Sequence, residues 1–424
     1  MSSSASVAQV IPLAAAPLLT RLYTPAEFGI YAAVSTGVLI VSTVAGGRYD
    51  MAIVLADSAS DAVLLVSVCM RIAAVSCGLA TGALIVALWL GPELRTGIGW
   101  WLAMVPAITL ATTWSTALTQ YALHHDDVRA VFAAGLLKAA VVVLIQLGLG
   151  LLGAGAVGLL TATGIAAVAG SLGLWGRYRA DRWAGRNSNR RQVARRYARF
   201  PRSDVAASLL NSGATGIGVF GVAAVFSPAV VGWYSLATRV GTLPATTVGA
   251  AIGRVYYRQA AIRAAAGQPL RPYLRRTAIL TAAASLPVFA LLMLASPTAF
   301  ALLFGQEWRE AGAFVVAMVP LLWLRIVVSP VSSTLLVTGR HGANVLWHVM
   351  LVLATAGCLL TATLLGLSPV GYLWLTTAVV GAVYVGLFLL AYASTGTRQA
   401  PPHASPATGP VAVPAGVGSS EATG

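Results

Sequence analysis

The sequence predicts an all-α polytopic membrane protein, with about 12 transmembrane helices in two parallel six-helix lobes around a central cavity. Three observations predict it. Apolar stretches long enough to cross a bilayer recur along the 424 residues. The composition is 58% hydrophobic and only 9% charged, with a mean hydropathy of +0.81. Finally, a short segment of the first half returns, without gaps, at the matching place in the second.

The first span, near 5–20, is short, at the lower limit for crossing, and the Ser residues before it complete its length. Met1 to Ser6 carry no charged n-region, so Val7 to Thr20 is read as a retained span rather than a removed signal peptide. Further spans follow near 28–47, 62–91, 99–123, 129–151 and 153–176, and then near 204–227, 229–253, 273–296, 311–338, 343–365 and 369–392. Cys69, Cys77 and Cys358 fall inside these apolar segments with no paired spacing and no nearby His, as small packing residues do.

Residues 1–176 form the predicted N-terminal lobe and 204–394 the C-terminal lobe. Between them, 177–203 is a basic linker, with ten arginines and one acid, Asp181, from Arg177 to Arg202. An anionic-lipid or phosphate contact and a topogenic cytoplasmic linker both fit it, and the second is favoured. The tail, 395–424, is rich in Pro, Ala, Gly and Ser and is expected to be disordered.

The lobes read as copies because Thr24-Pro25-Ala26-Glu27-Phe28-Gly29-Ile30-Tyr31 aligns on Ser227-Pro228-Ala229-Val230-Val231-Gly232-Trp233-Tyr234, sharing Pro, Ala, Gly and Tyr. An even number of spans in each keeps the copies parallel about an axis along the membrane normal, with a substrate site at their interface.

The net charge of +15 sits mainly in alternate loops. Arg48, Arg129, the Arg177 to Arg202 run, the cluster from Arg254 to Arg276, Arg340 and Arg398 share one side. Only Arg21, Arg95 and Arg309 lie on the other, each near an acid. The positive-inside rule therefore puts both termini in the cytoplasm. The same pattern accounts for the basic balance without nucleic acid, since the chain holds no basic soluble domain of the kind that reads it.

Four cations lie well inside the spans: Arg71, Lys138, Arg239 and Arg325. No acid lies at comparable depth. A charge at the bilayer centre costs about 2.5–3.5 kcal/mol on insertion scales and so faces a protein interior or a watery cavity. Four of one sign suggest a cavity for an anion. At 1.5 Å per residue, Arg71 and Lys138 lie roughly 15 Å from the cytoplasmic helix ends, and Arg239 and Arg325 roughly 15–20 Å from the outer ends. Snorkelling to an interface accounts equally well for Arg71 and Lys138. Arg21, Glu27, Arg48 and Asp50 lie at helix ends, where structural ion pairs are the expected role.

Leu19 to Gly29, together with Gly47-Arg48-Tyr49-Asp50-Met51-Ala52-Ile53, resembles the opening of the bacterial oligosaccharide flippases, the polysaccharide-export branch of the multidrug and oligosaccharidyl-lipid exporter superfamily. Val231 to Arg239 resembles their eighth helix, and Phe304-Gly305-Gln306-Glu307-Trp308-Arg309-Glu310-Ala311-Gly312 the turn into their tenth. The match runs over roughly residues 7–392. It departs in beginning almost at the first span, where relatives carry a longer lead-in, which leaves the completeness of the start open.

The resemblance implies two lobes rocking between inward-open and outward-open states in the cytoplasmic (inner) membrane of a bacterium. The cargo it implies is undecaprenyl-pyrophosphate-linked oligosaccharide, moved from the cytoplasmic to the outer leaflet. Phospholipid is the surroundings, and a polysaccharide polymerase is the partner that such a product implies. On this reading Arg239, Arg325, Arg71 and Lys138 bind the pyrophosphate.

Other polar groups carry less. Gln9, Gln120, Gln146, Asn211 and Asn344 could line a sugar path or form interhelical hydrogen bonds. Trp100, Trp101, Trp114, Trp233, Tyr234, Tyr256 and Tyr257 could stack on sugars, although most sit where interfacial aromatic belts are expected. His124, His125, Asp126 and Asp127 read as a solvated turn rather than a metal site, because adjacent residues rarely converge on one ion. Neither a metal nor a cofactor is expected.

A non-enzymatic protein is predicted. Lys138 is the only lysine and follows Leu137, so no Gly-Lys step can form a P-loop. A membrane polymerase or ligase would need a large outer loop, and the outer loops are short. An exporter of cationic drugs would need acids inside the lobes, and the first spans have none.

The loop charges generate a topology test. A cysteine replacing Asn187, in a background without the native cysteines, is expected to react only with reagents that reach the cytoplasm. Labelling from outside would overturn the orientation and the depths derived from it.

Overall fold

A computed structural model describes residues 11–12, 14–91, 99–181, 189–243 and 248–395. Among the described residues there is no strand. The first half comprises α1 (Ala16–Leu22), α2 (Pro25–Ala45), a short α3 (Tyr49–Val54), α4 (Ala59–Leu90), α5 (Val105–His124), α6 (Val128–Leu151) and α7 (Gly155–Asp181). The second half is joined to it through α8 (Arg190–Arg196) and comprises α9 (Arg199–Val225), α10 (Pro228–Gly241), α11 (Ala250–Ala265), α12 (Leu270–Phe304), α13 (Arg309–Ser332), α14 (Thr334–Val337), α15 (His341–Leu365) and α16 (Pro369–Ser394).

Among the described residues, nine helical segments are long and apolar enough to cross a membrane. With α9 and α10 they form the two-lobed, all-α bundle expected of a polytopic membrane protein; of the expected first span, 5–20, residues 5–10 and 13 lie outside the described residues, and α1 is its described end. The expected eighth span, 229–253, is not one described helix: α10 ends at Gly241, α11 begins at Ala250, and 244–247 lie outside the described residues. The expected ninth span, 273–296, extends to the 35 residues of α12. At about 52 Å such a helix exceeds a 30 Å hydrocarbon core and must tilt or project beyond it. Gln9 and the 395–424 tail beyond Thr395 lie outside the described residues, as do the side chains of Asn211 and Asn344.

Local chemistry starts the key helices. The hydroxyl of Thr24 accepts from the Glu27 backbone N–H at 3.4 Å while Glu27 Oε2 accepts from the Thr24 N–H at 2.8 Å. That capping box and Pro25 at the first helical position fix the start of α2. Ser227-Pro228 opens α10, and Ser368-Pro369 opens α16, where Ser368 caps Gly371 at 3.1 Å.

Within the first half α7 packs on α5 and α6, and α4 on α5; within the second, α13 is the central helix, packed on α10, α12 and α16. The halves meet chiefly through α2, which lies against both α9 and α10. At the α2–α10 crossing the two backbones are in contact. A Cβ placed on Gly29 would sit 1.7 Å from the Pro228 carbonyl oxygen, and one on Gly232 would sit 1.9 Å from that of Pro25. Each glycine thus lies under the first turn of the other helix. The contact is reciprocal, as a two-fold relation demands, and the aligned octapeptides touch at one end of the bundle. From there α2 follows α9, with Phe220 against Gly37 and Ile40 against Gly216, as far as a hydrogen bond from Ser212 to Thr43 of 3.2 Å.

No side chain fits between these helices, so Gly29→Ala and Gly232→Ala are each expected to destabilise the protein by about 1–3 kcal/mol or more through overpacking. Gly78→Ala, on α4 with open space at its Cβ, is expected to be neutral. Thermal unfolding in detergent checks this, and equal midpoints for all three variants would contradict the close crossing.

Candidate functional site: an interlobe latch and the cations below it

The Pro25 and Pro228 turns are covered by the segment that joins α12 to α13. Gly305, in a left-handed conformation (φ 106°), turns the chain into a single 3-10 turn, Gln306–Trp308. Trp308, 1% exposed, reaches into the first half and donates its indole N–H to the Thr20 carbonyl at 3.0 Å. Its ring stands edge-on to Phe28 with centroids 5.1 Å apart, and Phe28 in turn meets Tyr23 edge-on at 6.1 Å. The Tyr23 hydroxyl donates to the Gln146 carbonyl at 2.7 Å, tying the end of α1 to α6.

From the other side, Trp233 on α10 donates to the Glu307 carbonyl at 2.9 Å. Beneath this turn Gly312 allows α13 to approach α12, since a Cβ there would lie 2.5 Å from the Ser296 carbonyl oxygen. The result is an aromatic plug whose two indole N–H groups are paired with backbone carbonyls. Segments 19–29, 231–239 and 304–312, which look unrelated along the chain, converge in it. Gln146 also holds α7, donating to the Leu159 carbonyl at 3.4 Å, so its role here is interhelical.

The four intramembrane cations lie on four helices, two in each half. Arg239 is exposed on α10, seven residues and about 10 Å beyond Gly232, and on the side opposite the buried Ala237. Arg325 is exposed on α13 although its neighbour Ile326 is buried. It lies close enough to Tyr234 and Tyr384 to interact electrostatically with both hydroxyls. Lys138 is half-buried between α6 and α7, its Cβ against Gly170. Arg71 is exposed on α4, on the face that carries Val75 and Leu79. Among the described residues none of the four forms an ion pair. The described acids all lie within about two turns of a helix end or in connections.

At the helix ends, Arg48 Nη1 lies 3.7 Å from Asp50 Oδ2. Burial raises the Asp50 carboxyl above its ordinary range despite that partner. Glu27 serves the α2 cap, and Arg21 is exposed at the end of α1. Asp127 of the His124 to Asp127 turn caps α6 through the Ala130 N–H at 3.1 Å and pairs with Arg177.

The opposite end of the bundle holds a clamp that the sequence reading did not single out. Arg196 reaches Asp57 at 2.7 Å and Asp61 at 3.3 Å, and the Tyr197 hydroxyl donates to Asp57 at 3.0 Å. Tyr49 donates to the Ala194 carbonyl at 3.0 Å. Burial, and then the Asp57 and Asp61 carboxylates, hold the Tyr197 phenol above its usual range. The basic linker is therefore helical where described, and it docks on the first half. The signal available for it was a pair of acids at the start of α4, Asp57 before its cap and Asp61 in its first turn, with an Arg-Tyr pair in the linker.

Trp308→Ala removes both the donor and about 3–5 kcal/mol of aromatic packing, so the latch is expected to open. Spin labels at cysteines replacing Ala26 and Ala229 should show a short separation in the parent protein and a shift toward long distances in Trp308→Ala. An unchanged distribution would contradict the latch.

A family model described as "Polysaccharide biosynthesis protein" matches residues 18–313, a range that contains the latch and Arg239. Among curated proteins none matches significantly. Of solved structures, the lipid II flippase MurJ in an inward closed conformation superposes with a TM-score of 0.63 at 12% identity, covering 91% of this chain and 87% of that one. An inward-facing multidrug resistance MATE family transporter of the MOP superfamily gives 0.58 at 17% identity, with 93% of each chain covered. An outward-facing MATE family transporter gives 0.52 at 15%, with 93% and 94% covered. At these identities the likeness is one of fold. The chain belongs to the polysaccharide biosynthesis protein family and has the two-lobed fold of the MOP superfamily.

Proposed function

We propose that the protein is a flippase that moves undecaprenyl-pyrophosphate-linked oligosaccharide repeat units across the cytoplasmic membrane by alternating access, for cell-surface polysaccharide biosynthesis. Residues 1–176 and 204–394 are the moving lobes, 177–203 connects them on the cytoplasmic side, and the latch faces outward. The observation that carries this reading is the interlobe plug at one end of the bundle, with Arg239 about 10 Å from it along the same helix. The family match and the likeness to a lipid II flippase support it.

The cargo has an apolar tail, an anionic pyrophosphate and a polar glycan. Moving the headgroup needs fixed positive charge at midplane depth in a path from which lipid is excluded. Arg239 and Arg325 supply that charge from the second lobe, Arg71 and Lys138 from the first. The Arg239 guanidinium holds phosphate oxygens by charge-assisted, bidentate bonds that a lysine cannot reproduce. With the described acids confined to helix ends and connections, the path suits an anion better than a cationic drug. The protein acts as a carrier without catalysis.

Reconstitution in liposomes tests the reading. Pyrophosphate-linked oligosaccharide is expected to cross faster than the monophosphate-linked form. Arg239→Ala should lose about tenfold or more in rate, as expected for a lost charged hydrogen bond, while Arg239→Lys keeps part. Equal rates for the two lipids, or near-normal movement by a well-inserted Arg239→Ala variant, would contradict it.

A further inference from the structure

The clamp at the linker end ties two short helices, α3 and α8, to one another through the Tyr49 to Ala194 hydrogen bond. Val193 and Tyr197 of the α8 segment are buried against the first half, and Tyr49 of α3 holds the Ala194 carbonyl. With that face docked, Arg191 and Arg195 lie one turn apart on the face turned away, and Arg190 is exposed at the start of the helix. Carboxylates at this end are already engaged: Asp50 by Arg48, Asp57 and Asp61 by Arg196 and Tyr197, Asp127 by Arg177, and Asp181 by the Tyr121 hydroxyl at 2.7 Å. Among the described residues Arg190, Arg191 and Arg195 have no acidic partner.

Like charges four residues apart destabilise a helix, and seven residues are too few for a helix to stand alone. The segment is helical because it is docked, and docking concentrates its positive charge on one side. A second observation lies beside it. On α3 and its C-cap, Met51, Val54 and Leu55 are 39%, 37% and 64% exposed, at the i, i+3, i+4 spacing of one helix face. Exposed apolar residues on one helix and exposed arginines on another, joined by the Tyr49 to Ala194 hydrogen bond, are together the composition of a segment that lies in a membrane interface.

We propose that α3 and α8 together form a docking surface for the anionic phospholipid headgroups of the leaflet at the linker end. Met51, Val54 and Leu55 enter the acyl boundary, and Arg190, Arg191 and Arg195 hold lipid phosphates. Because Ala198 and Arg199 lead directly from α8 into α9, the first helix of the second half is anchored both to the first half and to the bilayer surface. The surface is independent of the cargo that crosses between the lobes.

The test uses the full chain in nanodiscs of mixed phosphatidylglycerol and phosphatidylcholine, with the retained lipid measured by native mass spectrometry after transfer to mild detergent. The parent protein is expected to be enriched in phosphatidylglycerol. The preference should fall about fivefold for each charge removed in Arg190→Gln, Arg191→Gln and Arg195→Gln combined, with no fall in unfolding midpoint. The three Arg→Lys changes should preserve it, and Arg275→Gln with Arg276→Gln on α12 should leave it. An unchanged preference in the triple Gln variant would overturn the proposal, as would an equal loss in the α12 variant or loss in the Lys variant. Displacement of the lipid by millimolar inorganic pyrophosphate would also overturn it, since that marks a site for a soluble anion.

Discussion

Two helix starts press their backbones together at Gly29 and Gly232, and the remaining architecture is arranged around that crossing. A Cβ on either glycine would fall inside the other helix's carbonyl, so the approach is possible only with glycine at both positions. The contact is self-complementary: the same Pro-x-x-x-Gly step is donor and recipient. Two lobes of unlike sequence are therefore brought into one symmetric arrangement by a few residues, and everything nearby, from Trp308 to Phe28, packs on the result.

The position of the crossing matters for function. It lies at one end of α2, while the clamp of Arg196 with Asp57 and Asp61 lies at the other, about 30 Å away along the helix. One end is closed by apolar and backbone contacts between the lobes, with the tryptophan donors satisfied by carbonyls. The other is held by charge and by a connecting helix. Apolar plugs of this kind separate cleanly into two states because packed surfaces are bistable rather than continuously deformable, which suits a gate. An ion-paired helix near water tolerates adjustment, which suits a hinge.

Much of the fold was legible because a bilayer enforces it: α2, α4, α13 and α16 are apolar runs of the required length, and the loop charges punctuate them. The repeat was legible through Pro and Gly, whose backbone roles are local. What could not be read were contacts between distant segments. Trp308 and Thr20 are 288 residues apart, and nothing in either neighbourhood announces the other. The Arg177 to Arg202 run reads as uniform charge, yet among its described residues Arg196 and Tyr197 are the ones that engage Asp57 and Asp61, a distinction set by where those two acids face. The cations were found by their cost in a membrane, but the side of each helix they occupy depends on packing: Lys138 lies against α7, whereas Arg239 is exposed.

The central claim is that the two octapeptide turns part and rejoin during each cycle of transport. A reducible cross-link between cysteines replacing Ala26 and Ala229 would hold them together. Transbilayer movement of pyrophosphate-linked oligosaccharide by the cross-linked protein, measured in liposomes, should then stop and should return on reduction. Movement at the unlinked rate with the cross-link intact would contradict the account.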